Sequence, residues 1–75
     1  MWKEGSLKVN NSVFHYWMKV YDTGSKYGID GGKVSKLMLK REGVIVANYE
    51  RGWGIKPIDP DAQLAVEILL HSENY

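Results

Sequence analysis

The chain has 75 residues, 44% of them hydrophobic and nine of them aromatic, with a formal net charge of +1. That length gives one domain near the lower limit at which a hydrophobic core suffices, and the composition excludes a disordered tail. With no cysteine and only two histidines, disulfides and thiolate zinc sites are excluded, so no metal and no cofactor is expected and stability rests on packing or self-association.

Leu7 and Val9 alternate with Ser6 and Lys8, which predicts a short first strand. Asn10-Asn11 follows and supplies residues that tolerate the positive φ of a tight hairpin turn. Ser12 to Tyr21 is rich in aromatic and β-branched residues and predicts the second strand. Its even positions, Phe14, Tyr16, Met18 and Val20, form an apolar face, and Val13, His15, Trp17, Lys19 and Tyr21 form a mixed one. Asp22 to Lys33 carries four glycines and no apolar periodicity, a long connection for so small a domain.

Val34 to Arg41 predicts a third strand, with Leu37 and Leu39 on one face and Val34, Lys36, Met38 and Lys40 on the other. Glu42-Gly43 is a second hairpin turn. Val44 to Glu50 returns as a fourth strand whose expected inward set is Ile45, Ala47 and Tyr49. Gly52-Trp53-Gly54 breaks the sheet pattern. Asp59-Pro60 then has the form of an N-cap followed by proline at the first helical position, with Asp61 favourable to the helix dipole. The helix is expected from Pro60 to about Ser72, with Gln63, Glu67 and His71 on a polar stripe. Ala62, Ala65, Val66, Ile68 and Leu69 would lie against the sheet.

The expected fold class is therefore α+β: a single domain over residues 1–75, built as β-β-β-β-α. A four-stranded antiparallel sheet carries one C-terminal helix on one face, and Phe14, Met18, Leu37, Leu39, Ile68 and Leu69 form the core centre. Charge is unevenly spread along this frame. Residues 1–56 hold all ten Lys and Arg against five acids, and residues 57–75 hold four acids and no base. An acidic helix complementing a basic sheet accounts for this, as would a basic binding surface. No apolar run approaches the roughly 20 residues that span a bilayer. Met1-Trp2-Lys3-Glu4-Gly5 lacks the apolar segment of an export signal. A cytoplasmic protein with no membrane partner is expected.

Three motifs invite a chemical reading. Asp22-Thr23-Gly24-Ser25 spells the active-site tetrapeptide of pepsin-like and retroviral aspartic proteases, whose chemistry needs two carboxylates sharing a proton. A glycine turn with an Asx cap yields the same four letters, and that is the reading adopted. Gly28 to Lys33 does not match a phosphate-cradling loop, because Val34 follows Gly32-Lys33 and Tyr27 stands where the first glycine belongs. His15 is read as a sheet residue and His71 as a favourable partner of the helix C-terminus. No catalytic residue is assigned, and the chain is expected not to be an enzyme.

What remains is the sheet face opposite the helix, where Trp17, Lys19, Tyr21, Lys36, Met38 and Lys40, with His15, would come together. Exposed Trp and Tyr are typical anchors of protein contacts, so a protein partner or a homodimer leads. Aromatics interleaved with lysines also stack bases and hold phosphates, which makes nucleic acid the alternative.

Gly28-Ile29-Asp30-Gly31-Gly32-Lys33-Val34-Ser35-Lys36-Leu37, with Asn48-Tyr49-Glu50-Arg51-Gly52-Trp53 and the opening Met1-Trp2-x-Glu4-Gly5, resembles a family of short uncharacterised bacterial proteins. These are found mainly in Gram-positive genomes, often near mobile elements. The resemblance covers nearly the whole chain and implies a bacterial cytoplasmic origin and no catalytic role. It directs attention to the Gly28–Lys36 loop and to Tyr49–Trp53. Both are read as shape-determining: glycines for turns, and Trp53 folded over an open end of the core.

Overall fold

A computed structural model describes residues 1–75 apart from Ser25, Tyr27 and Tyr75. The chain forms β1 (Trp2–Val9), β2 (Ser12–Val20), β3 (Val34–Arg41), β4 (Val44–Glu50), β5 (Trp53–Ile55) and α1 (Pro60–Asn74). All strands belong to one antiparallel sheet in the order β1-β2-β3-β4-β5. The class is the expected α+β with one C-terminal helix, but the sheet has five strands rather than four. Ser25 of the tetrapeptide lies outside the described residues.

The fifth strand is the segment expected to break the sheet pattern. Arg51 takes φ 59 and the Glu50 amide donates to the Gly52 carbonyl at 2.9 Å, which turns the chain back on β4. Trp53 then faces Tyr49 and Ile55 faces Asn48, leaving Gly54 as a bulge. Three residues flanked by glycine are too few to show alternation. The Trp53 ring meets the Tyr49 ring edge-on at 5.1 Å and packs against the core.

A second bulge corrects the inward set of β4. Register passes from Leu39 opposite Ala47 to Lys40 opposite Ile45, so Val46 has no partner on β3. A bulge places two consecutive side chains on one side of the sheet. Val46 and Ala47 are both buried, and Ile45 is exposed.

The helix buries Ala62, Ala65, Val66 and Leu69, positions i, i+3, i+4 and i+7 of one stripe. Ile68 lies about 100° around the helix from Leu69 and is 45% exposed, so it leaves the expected core set. Phe14, Met18, Leu37, Leu39 and Leu69 are buried as expected. Helical backbone continues to Asn74, two residues beyond the expected end.

The acids of the last nineteen residues explain how helix and sheet stay together. Asp59 caps the helix by accepting from the Ala62 amide at 2.8 Å, and its other oxygen pairs with Arg41 at the end of β3. Asp61 accepts from Asn10 at 2.7 Å and from Ser12 at 3.3 Å, both beside the first hairpin turn. At the far end Lys3 donates to Glu73 at 2.7 Å. The charge asymmetry is thus partly a clamp, with Arg41 and Lys3 committed to the helix.

Two glycines hold shape that no other residue could. Gly43, with Glu42, forms a two-residue turn with φ 78 and 53, the positive pair that matches strand twist in a hairpin. Gly28 lies so close to Gly32 that an added Cβ would sit 1.9 Å from the Gly32 carbonyl oxygen. Gly28→Ala therefore forces backbone to move and is expected to destabilise the fold by more than about 1 kcal/mol. Gly5→Ala meets only the hydroxyl end of Tyr16, at 2.8 Å, and that ring can swing away. Urea midpoints of the two variants measure the contrast, and equal midpoints would contradict it.

Candidate binding face and its rim

The strand registers stack the outward side chains of β1 to β4 into three cross-strand rows. Trp2, Lys19, Lys36 and Glu50 form the first, and Glu4, Trp17, Met38 and Asn48 the second. Ser6, His15, Lys40 and Ile45 form the third. Neighbours in such rows are close enough to interact directly. Trp17, Lys19, Lys36, Met38 and Lys40 thus come together on one face, as the alternation predicts. Tyr21 lies one residue past the end of β2, at the rim of that face.

Each lysine of the face rests on an aromatic ring. Lys40 lies 5.6 Å from the centroid of Trp17, Lys36 lies 5.9 Å from Trp2, and Lys19 lies 5.8 Å from Trp2 and 5.3 Å from Tyr21. These are distances at which a cation is attracted to the face of a ring. The His15 ring lies 4.3 Å from that of Trp17 and its Nε2 is 3.7 Å from Glu4. Lys36 also pairs with Glu50 at 3.3 Å, a contact open to solvent on the Glu50 side. Trp2 is 60% exposed. Trp2, Trp17, Met38 and Asn48 line a shallow hollow of about 200 Å³ with Lys36 and Glu50 on its edge.

Beside this hollow lies a larger pocket of about 380 Å³, lined by Lys19, Tyr21, Asp22, Thr23, Ser35, Lys36 and Arg51. It exists because of a third bulge. Register passes from Lys19 opposite Lys36 to Val20 opposite Val34, which leaves Ser35 without a partner on β2. The same bulge corrects the expected facing of Val34, which is fully buried in the core rather than beside Lys36 on the outer face. Arg51 borders the pocket from the turn after β4, its amide donating to the Ser35 carbonyl at 3.2 Å. Ser35 is 5% exposed, and its hydroxyl is buried beside the Tyr21 phenol. The Lys19 ammonium holds the Tyr21 phenol below its ordinary pKa, with smaller contributions from Ser35 and Arg51.

Trp2, Ser35, Asn48 and Arg51 are absent from the expected site. Trp2 was hidden because β1 is longer than its apolar alternation. Its inward positions Lys3 and Gly5 serve Glu73 and Tyr16, so neither advertises a buried face. Ser35 was hidden by the bulge, which no propensity marks.

Among the described residues there is no group of three or more His, Cys, Asp and Glu side chains that could hold a metal ion. No helix among them is long and apolar enough to cross a membrane. A family model described as Domain of unknown function (DUF7678) matches residues 1–74. No curated protein and no solved structure matches the chain.

Proposed function

The chain belongs to the DUF7678 family, whose function is unassigned, and from its surface we propose that it is a small non-enzymatic interaction module working through the outer sheet face. The observation that carries this reading is the hollow between Trp2, Trp17 and Met38, open on the side the helix leaves bare and ringed by lysines seated on aromatic rings. Lys19, Lys36 and Lys40 set the choice of partner. Face-to-face pairing of two copies would bring these lysines together, and like charges across a contact are costly. A single nucleic-acid strand offers the complement, bases for the tryptophans and phosphates for the ammonium groups.

A labelled oligothymidylate of ten residues, followed by fluorescence anisotropy, tests the reading. At about 50 mM salt it is expected to bind, and affinity should fall steeply as salt rises. Trp17→Ala should abolish most of the binding. Absence of binding at low salt would remove the nucleic-acid partner, and tighter capture of poly-glutamate than of oligothymidylate would assign the face to an acidic protein segment.

Self-association is a second reading, and it rests on β1. Among the described residues this eight-residue strand pairs with β2 alone, so its other edge has no strand partner. Sedimentation at high concentration tests it. A dimer that Leu7→Pro dissociates supports pairing through this edge, and a monomer at all concentrations ends it.

A further inference from the structure

We propose that two copies of this chain join edge to edge through β1, antiparallel about a dyad at Ser6. Glu4 of each copy then lies opposite Lys8 of the other, and the two helices meet over the seam through Leu64 and Ile68. This rests on the reading of β1 as a self-pairing edge and adds the register and the side chains that select it. Met1 and Val20 exchange backbone hydrogen bonds at 2.9 and 2.8 Å, and the β1–β2 register continues from them without a shift to Val9 and Ser12. Pairs that exchange such bonds alternate along the ladder with pairs that do not. The amide and carbonyl groups of Trp2, Glu4, Ser6 and Lys8 therefore turn away from β2, toward the edge that has no strand partner among the described residues. An antiparallel copy must set these residues against one another, which places the dyad through a residue and never between two.

Charge selects among the positions that remain. A dyad at Glu4 or at Lys8 opposes like charges, and one at Gly5 or Leu7 leaves Glu4 and Lys8 facing other residues. A dyad at Ser6 puts the Glu4 carboxylate opposite the Lys8 ammonium, and symmetry does so twice. Both residues are exposed, and Lys8 has no ion-pair partner among the described residues. The helix supplies a second layer of contact. Asp61 meets Asn10 at one end of β1 and Glu73 meets Lys3 at the other, so α1 runs along this strand. Leu64 and Ile68 follow Asp61 at i+3 and i+7 and share its flank, while Gln63, Glu67 and Leu70 line the opposite flank with Trp53 and Pro57. Leu64 and Ile68 are 43% and 45% exposed, large apolar side chains on the flank beside the open edge. Ile68 lies about midway between Asp61 and Glu73, as Ser6 does between Asn10 and Lys3, so the same dyad brings the two Ile68 side chains toward each other. That dyad stands perpendicular to the sheet, which puts both helices on one side and both tryptophan hollows on the other.

Sedimentation equilibrium of charge variants tests the register. Glu4→Lys alone sets a lysine against Lys8, and Lys8→Glu alone sets a glutamate against Glu4, twice in each dimer. Each variant is expected to associate about tenfold more weakly than the parent, or worse. Mixed in equal amounts, the two restore opposite charges at both positions and are expected to form a heterodimer of near-parental affinity. That recovery also shows that both variants are folded. Ile68 lies outside the core of a single copy, so Ile68→Asp is expected to keep the parental circular dichroism while weakening the dimer to a similar degree. Single charge variants that associate like the parent, or a mixture that stays monomeric, overturn the dyad at Ser6. An Ile68→Asp protein that dimerises like the parent overturns the helix contact. If Ser6→Pro, which deletes an amide of the open edge, dissociates a dimer that the charge variants leave intact, the edge reading stands and the register proposed here falls. A parent that is monomeric at all concentrations overturns the register together with the reading on which it rests.

Discussion

Phe14→Ala is expected to lower stability by about 3–5 kcal/mol, whereas Ile68→Ala leaves it almost unchanged. Both residues are large, apolar and centrally placed in the expected core. Phe14 is fully buried between sheet and helix, with the Arg41 guanidinium 5.3 Å from its ring. Removing a buried phenylalanine ring costs about 3–5 kcal/mol. At roughly 0.05–0.15 kcal/mol per residue, a chain of this size has a total stability on the order of 4–11 kcal/mol. The substitution removes between about a quarter and all of it. Ile68 is 45% exposed, and an exposed substitution lies within about 0.5 kcal/mol of the parent. Urea unfolding followed by circular dichroism gives both midpoints. A Phe14→Ala protein that unfolds at the parental midpoint would mean that the helix does not cover this position.

The second large effect concerns Asp59, which starts the helix and ties it to the sheet. Its carboxylate accepts from the Ala62 amide and pairs with Arg41, and the Arg41 guanidinium also donates to Ser12. Asp59→Ala removes the cap and the ion pair together. Asp59→Asn keeps a good capping side chain and removes only the charge. The alanine variant is therefore expected to melt below the asparagine variant, and both below the parent.

The same residue gives a pH dependence of known sign. The Arg41 guanidinium, and after it the Ala62 amide, hold the Asp59 carboxyl below its ordinary range, and Asp59 in return raises Arg41. A carboxyl whose pKa is lower folded than unfolded adds stability that is fully present above the unfolded value, about 3.9. That stability is lost as pH falls through the folded value. The gap in melting temperature between parent and Asp59→Asn should thus be constant above about pH 5 and close on acidification below about pH 4. Salt should narrow it as well, because the Arg41 and Asp59 side chains are 22% and 32% exposed. A gap that widens in acid would show that Asp59 does not carry a depressed pKa.

These contrasts separate what can be read from the chain from what cannot. Period-two alternation identified β2 and β3, because both turn one face to the core. It also placed five of the six expected binding residues on the opposite face. Asp59-Pro60 located the helix start, since capping chemistry is local. What escaped were features fixed by neighbours distant in sequence. Lys3 and Gly5 interrupt the apolar signal of β1 to meet Glu73 and Tyr16. The bulges at Ser35 and Val46 shift a side chain to the other face without any compositional mark. Ile68 and Leu69 are adjacent and equally apolar, and only the direction from which the sheet approaches decides which is buried.

The order of strands across the sheet also bears on how fast the protein finds its structure. Each strand pairs with the next one in the chain, so the hairpins β1–β2 and β3–β4 close over two-residue turns at little cost in loop entropy. Such local pairings favour rapid folding for a sheet protein. The distant contacts are those of the helix: Asn10 with Asp61, Arg41 with Asp59, and Lys3 with Glu73 seventy residues away. Helix docking is the step that closes the largest loop. Substitutions in the first hairpin turn should act mainly on the folding rate, and loss of the Lys3–Glu73 pair mainly on the rate of unfolding.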